Sequence, residues 1–292
     1  MKQLLILSGK GGTGKTTIAG AFIKLTQAKA YADCDVDAPN LHLIGKHTAP
    51  TRTTDFYGMD KAVIEPDDCT DCGLCRLHCR FEAVNERYGK YSVDPFACEG
   101  CGLCEAICPT GAIFLHPGVA GELVLYKNDA VFSTAKLKMG SGTSGKLVTE
   151  VKKQLKLEAA DAELAVIDGS PGIGCPVIAS LAGVDMVLIV TEPSVSGISD
   201  MGRIIKTAER FKVKIGVCVN KYDTNKELAK NIEVFCQERK LPFLGNIPFD
   251  KAAIKAVNTG LSIVDTDCTA GRAVTKIFYK TLFVMSNTHN EQ

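Results

Sequence analysis

The chain has 292 residues, 46% of them hydrophobic, which suffices for a sizeable buried core and bounds it at two domains. Lys and Arg number 34 against 33 Asp and Glu, and a net charge of +1 leaves no electrostatic footprint for nucleic acid or an acidic membrane, so no nucleic-acid partner is expected. Thirteen cysteines, with no basic leader and no run of 18 apolar residues, lead to the expectation of a cytoplasmic protein without a membrane anchor, whose thiols bind metal and do not pair as disulfides.

Leu4–Leu7 is a short apolar run that reads as a strand, and Gly14–Lys29 carries helical spacing. Between them lies Gly9-Lys10-Gly11-Gly12-Thr13-Gly14-Lys15-Thr16, a glycine loop in the strand-to-helix setting that binds phosphate. The expected nucleotide cradle is Gly11, Gly12, Thr13, Gly14, Lys15, Thr16 and Thr17: converging amides take the β-phosphate, Lys15 neutralises the β and γ oxygens, and the Thr16 hydroxyl ligates magnesium. A second strand is expected before Asp33-Cys34-Asp35-Val36-Asp37, although aspartates ahead of Pro39 also make ordinary turns.

From Val63 to Leu115 cysteines, glycines and charges replace long periodic segments. Ala62-Val63-Ile64 and Ala112-Ile113-Phe114 look like short paired strands flanking this insert, and Pro66 and Pro117 mark its junctions. The expected domains are therefore a discontinuous one of residues 1–62 and 117–292 and an insert of residues 63–116. The insert carries Cys69-x2-Cys72-x2-Cys75-x3-Cys79 and Cys98-x2-Cys101-x2-Cys104-x3-Cys108-Pro109, the run of bacterial two-cluster ferredoxins, in which the fourth cysteine of each run ligates the other cluster. Cys69, Cys72, Cys75 and Cys108 are thus the expected ligands of one [4Fe–4S] cluster, and Cys98, Cys101, Cys104 and Cys79 those of a second. Gly73 and Gly102 let the backbone turn around the metal. Zinc competes for any Cys-x2-Cys pair, but it rarely takes four ligands from so compact a run, and two identical copies favour iron. Arg80 stands where the ferredoxin run usually has a proline. So small a unit, with little apolar core, calls for a metal staple.

Beyond the insert, Leu123–Tyr126 and Ala130–Phe132 resemble a hairpin, and Lys146–Leu157 has helical spacing through Leu147, Val151 and Leu155. Gly140-x4-Gly145-Lys146-Leu147 copies the phosphate-loop spacing but has Leu147 where magnesium needs a hydroxyl, so Gly140–Gly145 is read as a loop capping the following helix. Ala165–Ile167 is an apolar strand running into Asp168 and, after Asp-x3, Gly172; Asp168 is expected to hold a magnesium-bound water and the Gly172 amide to sense a γ-phosphate. Met186–Val190 and Lys214–Val219 are further strands around a helical Ile198–Phe211, and Asn220-Lys221-Tyr222-Asp223 has the shape of a base-reading motif. Cys218 and Cys236 read as small buried hydrophobes, while Cys34 and Cys268 stay unassigned. The polar end from Ser286 to Gln292 is expected to fray. Strands alternating with helices imply an α/β fold with a mostly parallel, doubly wound sheet, ligands at the strands' carboxyl ends, and an inserted small α+β domain.

Lys10-Gly11-Gly12-x-Gly14-Lys15-Thr16-Thr17 resembles the deviant phosphate loop of the MinD, ParA and nitrogenase iron protein superfamily. With the cysteine insert placed between Asp35 and Asp168, nearly the whole chain is similar to MinD-superfamily ATPases that contain an inserted ferredoxin domain. That resemblance implies ATP with Mg2+, hydrolysis with Lys10, Lys15 and Asp35 as catalytic residues, and magnesium at Thr16, Asp35 and Asp168. It implies a homodimer with nucleotide at the interface, where Lys10 reaches the partner's nucleotide. Asn220 then contacts adenine, Asp223 leaves GTP open, and Pro248 in Asn246-Ile247-Pro248-Phe249-Asp250 lies near the base. Two functions follow: nucleotide-driven closure that gates electron transfer through two clusters to a redox acceptor, or ATP-dependent assembly or delivery of a cluster to an apo-protein client. Cys175 matches a bridging-cluster ligand of the nitrogenase iron protein, but the second cysteine is missing around Met139 and Gly140, so a structural or redox thiol is favoured. A MinD-like positioning role is disfavoured, because Val274–Val284 reads as a core-packing helix.

Overall fold

The computed structural model describes residues 1–44 and 49–287. The fraying expected beyond Ser286 falls almost wholly outside them. The chain runs through β1 (Lys2–Leu7), α1 (Lys15–Thr26), β2 (Ala30–Asp33) and β3 (Arg52–Tyr57). It continues with β4 (Lys61–Ile64), α2 (Leu74–His78), β5 (Val84–Arg87), β6 (Lys90–Val93), α3 (Leu103–Ile107) and β7 (Ile113–His116). There follow β8 (Val119–Lys127), β9 (Val131–Leu137), α4 (Ser144–Glu158), β10 (Leu164–Asp168), α5 (Cys175–Leu181), β11 (Met186–Thr191) and α6 (Val195–Arg210). The last elements are β12 (Lys214–Asn220), α7 (Lys226–Glu238), β13 (Phe243–Ile247), α8 (Lys251–Asn258) and α9 (Thr269–Ser286). They gather into two compact units, one of Met1–Thr53, Leu123–Lys136 and the chain from Gly145 onward, the other of Thr54–Glu122 and Leu137–Ser144.

Among the described residues the large sheet has the order β13-β12-β11-β1-β10-β2-β9-β8-β3, and every pairing from β13 through β9 is parallel. The expected α/β class with a mostly parallel sheet is therefore the observed one. β11 is buried at every position and β1 at its last four, the continuous apolar pattern of strands covered on both faces. Leu4 and Ile6 share one core with Ile18 and Phe22 of α1 and with Val274, Ile277 and Phe278 of α9. On α9 the buried Val274, Ile277, Phe278, Thr281 and Met285 follow helical spacing, and the Phe22 and Phe278 rings meet edge-on at 5.1 Å. The segment Val274–Val284 thus packs in the core. Among the described residues no helix is long and apolar enough to cross a membrane. α1 stops short of Lys29 because Gln27 turns left-handed at φ 47° and its N–H closes back on Ile23 and Lys24.

In the second unit β4 pairs antiparallel with β7, with Val63 opposite Phe114. β5 and β6 form a hairpin whose turn residues Tyr88 and Gly89 both have positive φ, 54° and 75°, as a type I′ turn requires. α2 and α3 each begin after a left-handed glycine, Gly73 at φ 75° and Gly102 at φ 77°. The core of this unit is small: Ala62, Cys75, Ala83, Val84, Cys98 and Ile113, with Cys79, Cys104 and Cys108 among the residues packed against it.

Candidate functional site

β1 lies between β10 and β11, so its carboxyl end delivers the glycine loop to the middle of the sheet. Gly12 at φ 79° and Gly14 at φ 89° are left-handed, and Gly14 opens α1 without a side-chain cap, leaving the first amides of a twelve-residue helix available to an anion. A Cβ on Gly14 would collide with the Asn220 side-chain amide, which donates to the Thr13 carbonyl at 2.7 Å. Gly14→Ala is expected to lower nucleotide affinity at least about tenfold, by pairing that clash with a disfavoured φ. Titration with a fluorescent nucleotide checks this, alongside an unchanged circular dichroism spectrum.

Lys15 is buried, and its Nζ donates to Asp168 Oδ1 at 2.5 Å and to Thr16 Oγ1 at 3.4 Å, with Asp35 Oδ2 at 3.9 Å. Burial opposes the ammonium, but Asp168, by charge and hydrogen bond, outweighs it together with Asp35 and Asp33, and the Lys15 pKa is raised. Sequence reasoning passed over Asp33. It is fully buried as the register partner of Asp168 at the ends of neighbouring parallel strands. Its Oδ1 accepts the Asp35 N–H at 3.0 Å and its Oδ2 the Asn40 and Leu41 N–H groups, each at 2.9 Å. Burial, then the Asp168 charge, push Asp33 up to about 7, and burial pushes Asp35 up to about 6. Three carboxylates thus face one ammonium, an imbalance that suits a divalent cation. Asp168 Oδ2 is buried with no protein partner among the described residues, which fits a carboxylate meant for a magnesium-bound water. The signal available in the sequence was that both strands end in Asp.

The Gly172 amide is engaged in this structure, donating to the Ser8 carbonyl at 2.9 Å with φ at 94°. Beside it the Ser170 hydroxyl donates to the Cys34 carbonyl, and Cys34 N–H to the Asp168 carbonyl at 2.7 Å. A cavity of about 270 Å³ brings Gly12, Gly14, Thr17, Asn220 and Pro248 together against Ile254 of α8. Asp223 acts through the wall of this cavity: its Oδ1 accepts the Phe249 N–H at 2.8 Å.

Residues 4–263 match the CobQ/CobB/MinD/ParA nucleotide binding domain. The chain belongs to that family. It is a P-loop ATPase of the MinD/ParA kind, with the phosphate loop, the Asp35 segment and Asp168 at the carboxyl ends of β1, β2 and β10. The uncharacterized protein MJ0578 of Methanocaldococcus jannaschii is 31% identical over 298 residues, covering 95% of both chains. The septum site-determining protein MinD of Pyrococcus horikoshii, solved with Mg-ADP, superposes with a TM-score of 0.58 at 16% identity over 96% of this chain and 95% of that one. An iron-sulfur cluster carrier protein of Pyrococcus horikoshii is 22% identical over 280 residues, covering 90% of this chain and 79% of its own.

In this MinD/ParA-family chain Lys10 is held in cis. Its Nζ lies 3.6 Å from Glu192 Oε2 and reaches the Ser194 and Ser196 hydroxyls at 3.4 and 3.5 Å. Glu192 Oε1 in turn accepts Lys221 Nζ at 2.6 Å, and that ammonium also reaches the Gly12 carbonyl at 3.1 Å. No local pattern pointed to Glu192, because the pairing joins strand ends far apart in the chain.

The eight run cysteines all fall in the second unit. Burial raises the Cys75 thiol, with the charges of neighbouring Cys69 and Cys72 adding to it, and Cys104 is raised in the same way beside Cys98 and Cys101. A cavity of about 280 Å³ is lined by Cys79, Cys98, Cys101 and Cys104. Cys98 Sγ accepts the Ala62 and Gly100 N–H groups at 3.5 and 3.4 Å. Among the described residues no three Cys, His, Asp or Glu side chains are drawn into a ready-made metal ligand set. Of the other cysteines, Cys34, Cys218 and Cys236 are buried, Cys268 Sγ caps α9 by accepting the Gly271 N–H at 3.3 Å, and Cys175 is exposed at the start of α5.

Proposed function

We propose that this chain is an ATP- and magnesium-dependent switch whose homodimeric closure is coupled to electron transfer through two [4Fe–4S] clusters. The observation that carries this is the cavity uniting Cys79 of the first run with Cys98, Cys101 and Cys104 of the second, the crossed set of a two-cluster ferredoxin. Cys69, Cys72, Cys75 and Cys108 would hold the other cluster, making residues 63–116 a ferredoxin-like insert between ATPase segments 1–62 and 117–292. When bound, the clusters supply one-electron redox chemistry.

In the ATPase part, the amides of Gly11 to Thr17 and the Lys15 ammonium would bind the β and γ oxygens, and Thr16, Asp35 and Asp168 would hold magnesium, which supplies charge neutralisation at the phosphates. Lys15 would exchange its Asp168 contact for phosphate, freeing that carboxylate to help hold magnesium. Asp35 aligns the attacking water or the metal. To donate to a γ-phosphate, the Gly172 amide would have to give up the Ser8 carbonyl. Lys10 offsets charge developing on the partner's phosphoryl group. Asn220 and Pro248 border the base, for which adenine is favoured, and Asp223 leaves guanine as the alternative.

Anaerobic purification, iron and sulfide assay, and electron paramagnetic resonance after dithionite reduction test this proposal. The expected result is two reducible clusters whose signals shift with Mg-ATP in the native chain and stay unmoved in Lys15→Ala. Tetrahedral zinc, or metal-free protein from oxygen-free material, overturns it. A second reading, a cluster assembly or delivery factor acting on an apo-protein client, draws support from the likeness to the iron-sulfur cluster carrier protein and from the exposure of Cys72 and Cys101. Loss of iron to an apo-acceptor on ATP addition selects delivery, whereas reversible cycling with full retention of iron selects electron transfer to a redox acceptor.

A further inference from the structure

Resting on the role just proposed for Lys10, we infer that Glu192 is a positioning residue that parks Lys10 away from the triphosphate, so that a γ-phosphate must win the lysine from it. Glu192 follows β11 directly and stands two residues before Ser194, which caps α6 by accepting the Gly197 N–H at 3.0 Å. Its backbone is therefore fixed between a buried strand and a capped helix. Both carboxylate oxygens are used, Oε1 on Lys221 at 2.6 Å and Oε2 on Lys10 at 3.6 Å. The Lys221 ammonium is itself tied to the Gly12 carbonyl, so Glu192 keeps its place beside the phosphate loop when Lys10 leaves.

Two features make the contact releasable. The Lys10 side chain is 37% exposed and its approach to Glu192 is long, which puts the pair in the weak class of solvent-screened ion pairs. The Ser194 and Ser196 hydroxyls, at 3.4 and 3.5 Å, complete the cradle with neutral acceptors only. A γ-phosphate carries more charge than one carboxylate and outcompetes this cradle, whereas a diphosphate offers Lys10 no such oxygen. A merely structural Glu192 would affect both nucleotides equally, so the discrimination between them is the diagnostic quantity.

The full chain is titrated calorimetrically with ADP and with a non-hydrolysable ATP analogue, both with Mg2+, as the native protein, Glu192→Gln, Lys10→Ala and the double variant. Glu192→Gln should raise the preference for the triphosphate about two- to fivefold, the range such pairs supply, with the gain shrinking at high salt. The same substitution should change nothing in the Lys10→Ala background. An unchanged preference in Glu192→Gln, or an equal gain without Lys10, overturns the inference. Sedimentation of the native chain with the analogue separates the two layers: a persistent monomer overturns the crossing of Lys10 to a partner, while the affinity ratio still decides whether Glu192 holds Lys10 back.

Discussion

Lys15→Ala should cut ATP turnover by about a hundred- to a thousandfold, the scale of losing one preorganised charge at a phosphoryl group, and should destabilise the chain as well. Lys15 is 5% exposed and Asp168 fully buried, so the substitution strands a carboxylate whose Oδ2 already has no protein partner. Breaking a buried pair in this way costs about 3–5 kcal/mol. Part of that cost is recovered by proton uptake, since Asp33 and Asp35 already sit well above the usual carboxylate range. The sign follows: carboxyls whose folded pKa lies above the unfolded one stabilise the fold at low pH and lose that contribution as pH rises through about 6 to 7. Thermal unfolding of Lys15→Ala should therefore deviate from the native chain more at pH 8 than at pH 5. Adding Asp168→Asn should return much of the stability and none of the turnover, because the stranded charge is gone while the phosphate contact is still missing. A variant that hydrolyses ATP normally, or melts identically at both pH values, refutes the roles given to the pair.

What the sequence disclosed about this site follows from where each contact lies along the chain. The phosphate loop was legible because Gly12 and Gly14 need backbone angles that other residues resist, and the strand before them is uniformly apolar. Lys146–Leu157 was legible for the same local reason: Leu147, Val151 and Leu155 are all buried on one side of α4. That helix begins at Ser144, within the Gly140–Gly145 stretch read as a loop, so burial of Leu147 and Val148 in its first turns outweighs the entropic cost of Gly145. Asp33 escaped notice because its weight comes from standing beside Asp168 in the parallel register, a fact about two strands far apart in sequence. Glu192 escaped for the same reason. The β5–β6 hairpin was missed because only Val84 of β5 is buried, too little to print an alternating pattern, and the Tyr88-Gly89 turn is a weaker marker than Asn-Gly. Cys268 stayed unassigned because cysteine is not among the residues that ordinarily mark a helix start, although its sulfur does cap α9.

Cys98→Ala should lower the iron content from about eight to about four atoms per chain, one [4Fe–4S] cluster out of two, and should expose residues 54–122 to protease. The reason lies in the core of that unit. Its main buried cluster is Ala62, Cys75, Ala83, Val84, Cys98 and Ile113, two thiols and two alanines among six, to which the buried Phe56, Ala112 and Ala120 of the same unit add little, and so small an apolar core weighs poorly against the entropy of ordering the chain around it. On the cluster reading proposed above, metal ligation would supply the missing folding free energy. Cys98 is central to this: it is 7% exposed, its sulfur accepts two backbone N–H groups, and it lines the same cavity as Cys79, Cys101 and Cys104. Removing it would withdraw a ligand of the proposed cluster and leave the Ala62 and Gly100 amides without their sulfur acceptor. The nucleotide unit has its own core of Leu4, Ile6, Phe22, Val274 and Phe278, so nucleotide affinity should survive. Cys236→Ala is the control, since Cys236 is buried on α7 of that other unit and its loss should leave iron unchanged. Iron assay, limited proteolysis and nucleotide titration read the three expectations separately. Full iron in Cys98→Ala, or an iron-free native chain whose residues 54–122 resist protease as well as the loaded form, would show that the cysteines do not staple this unit.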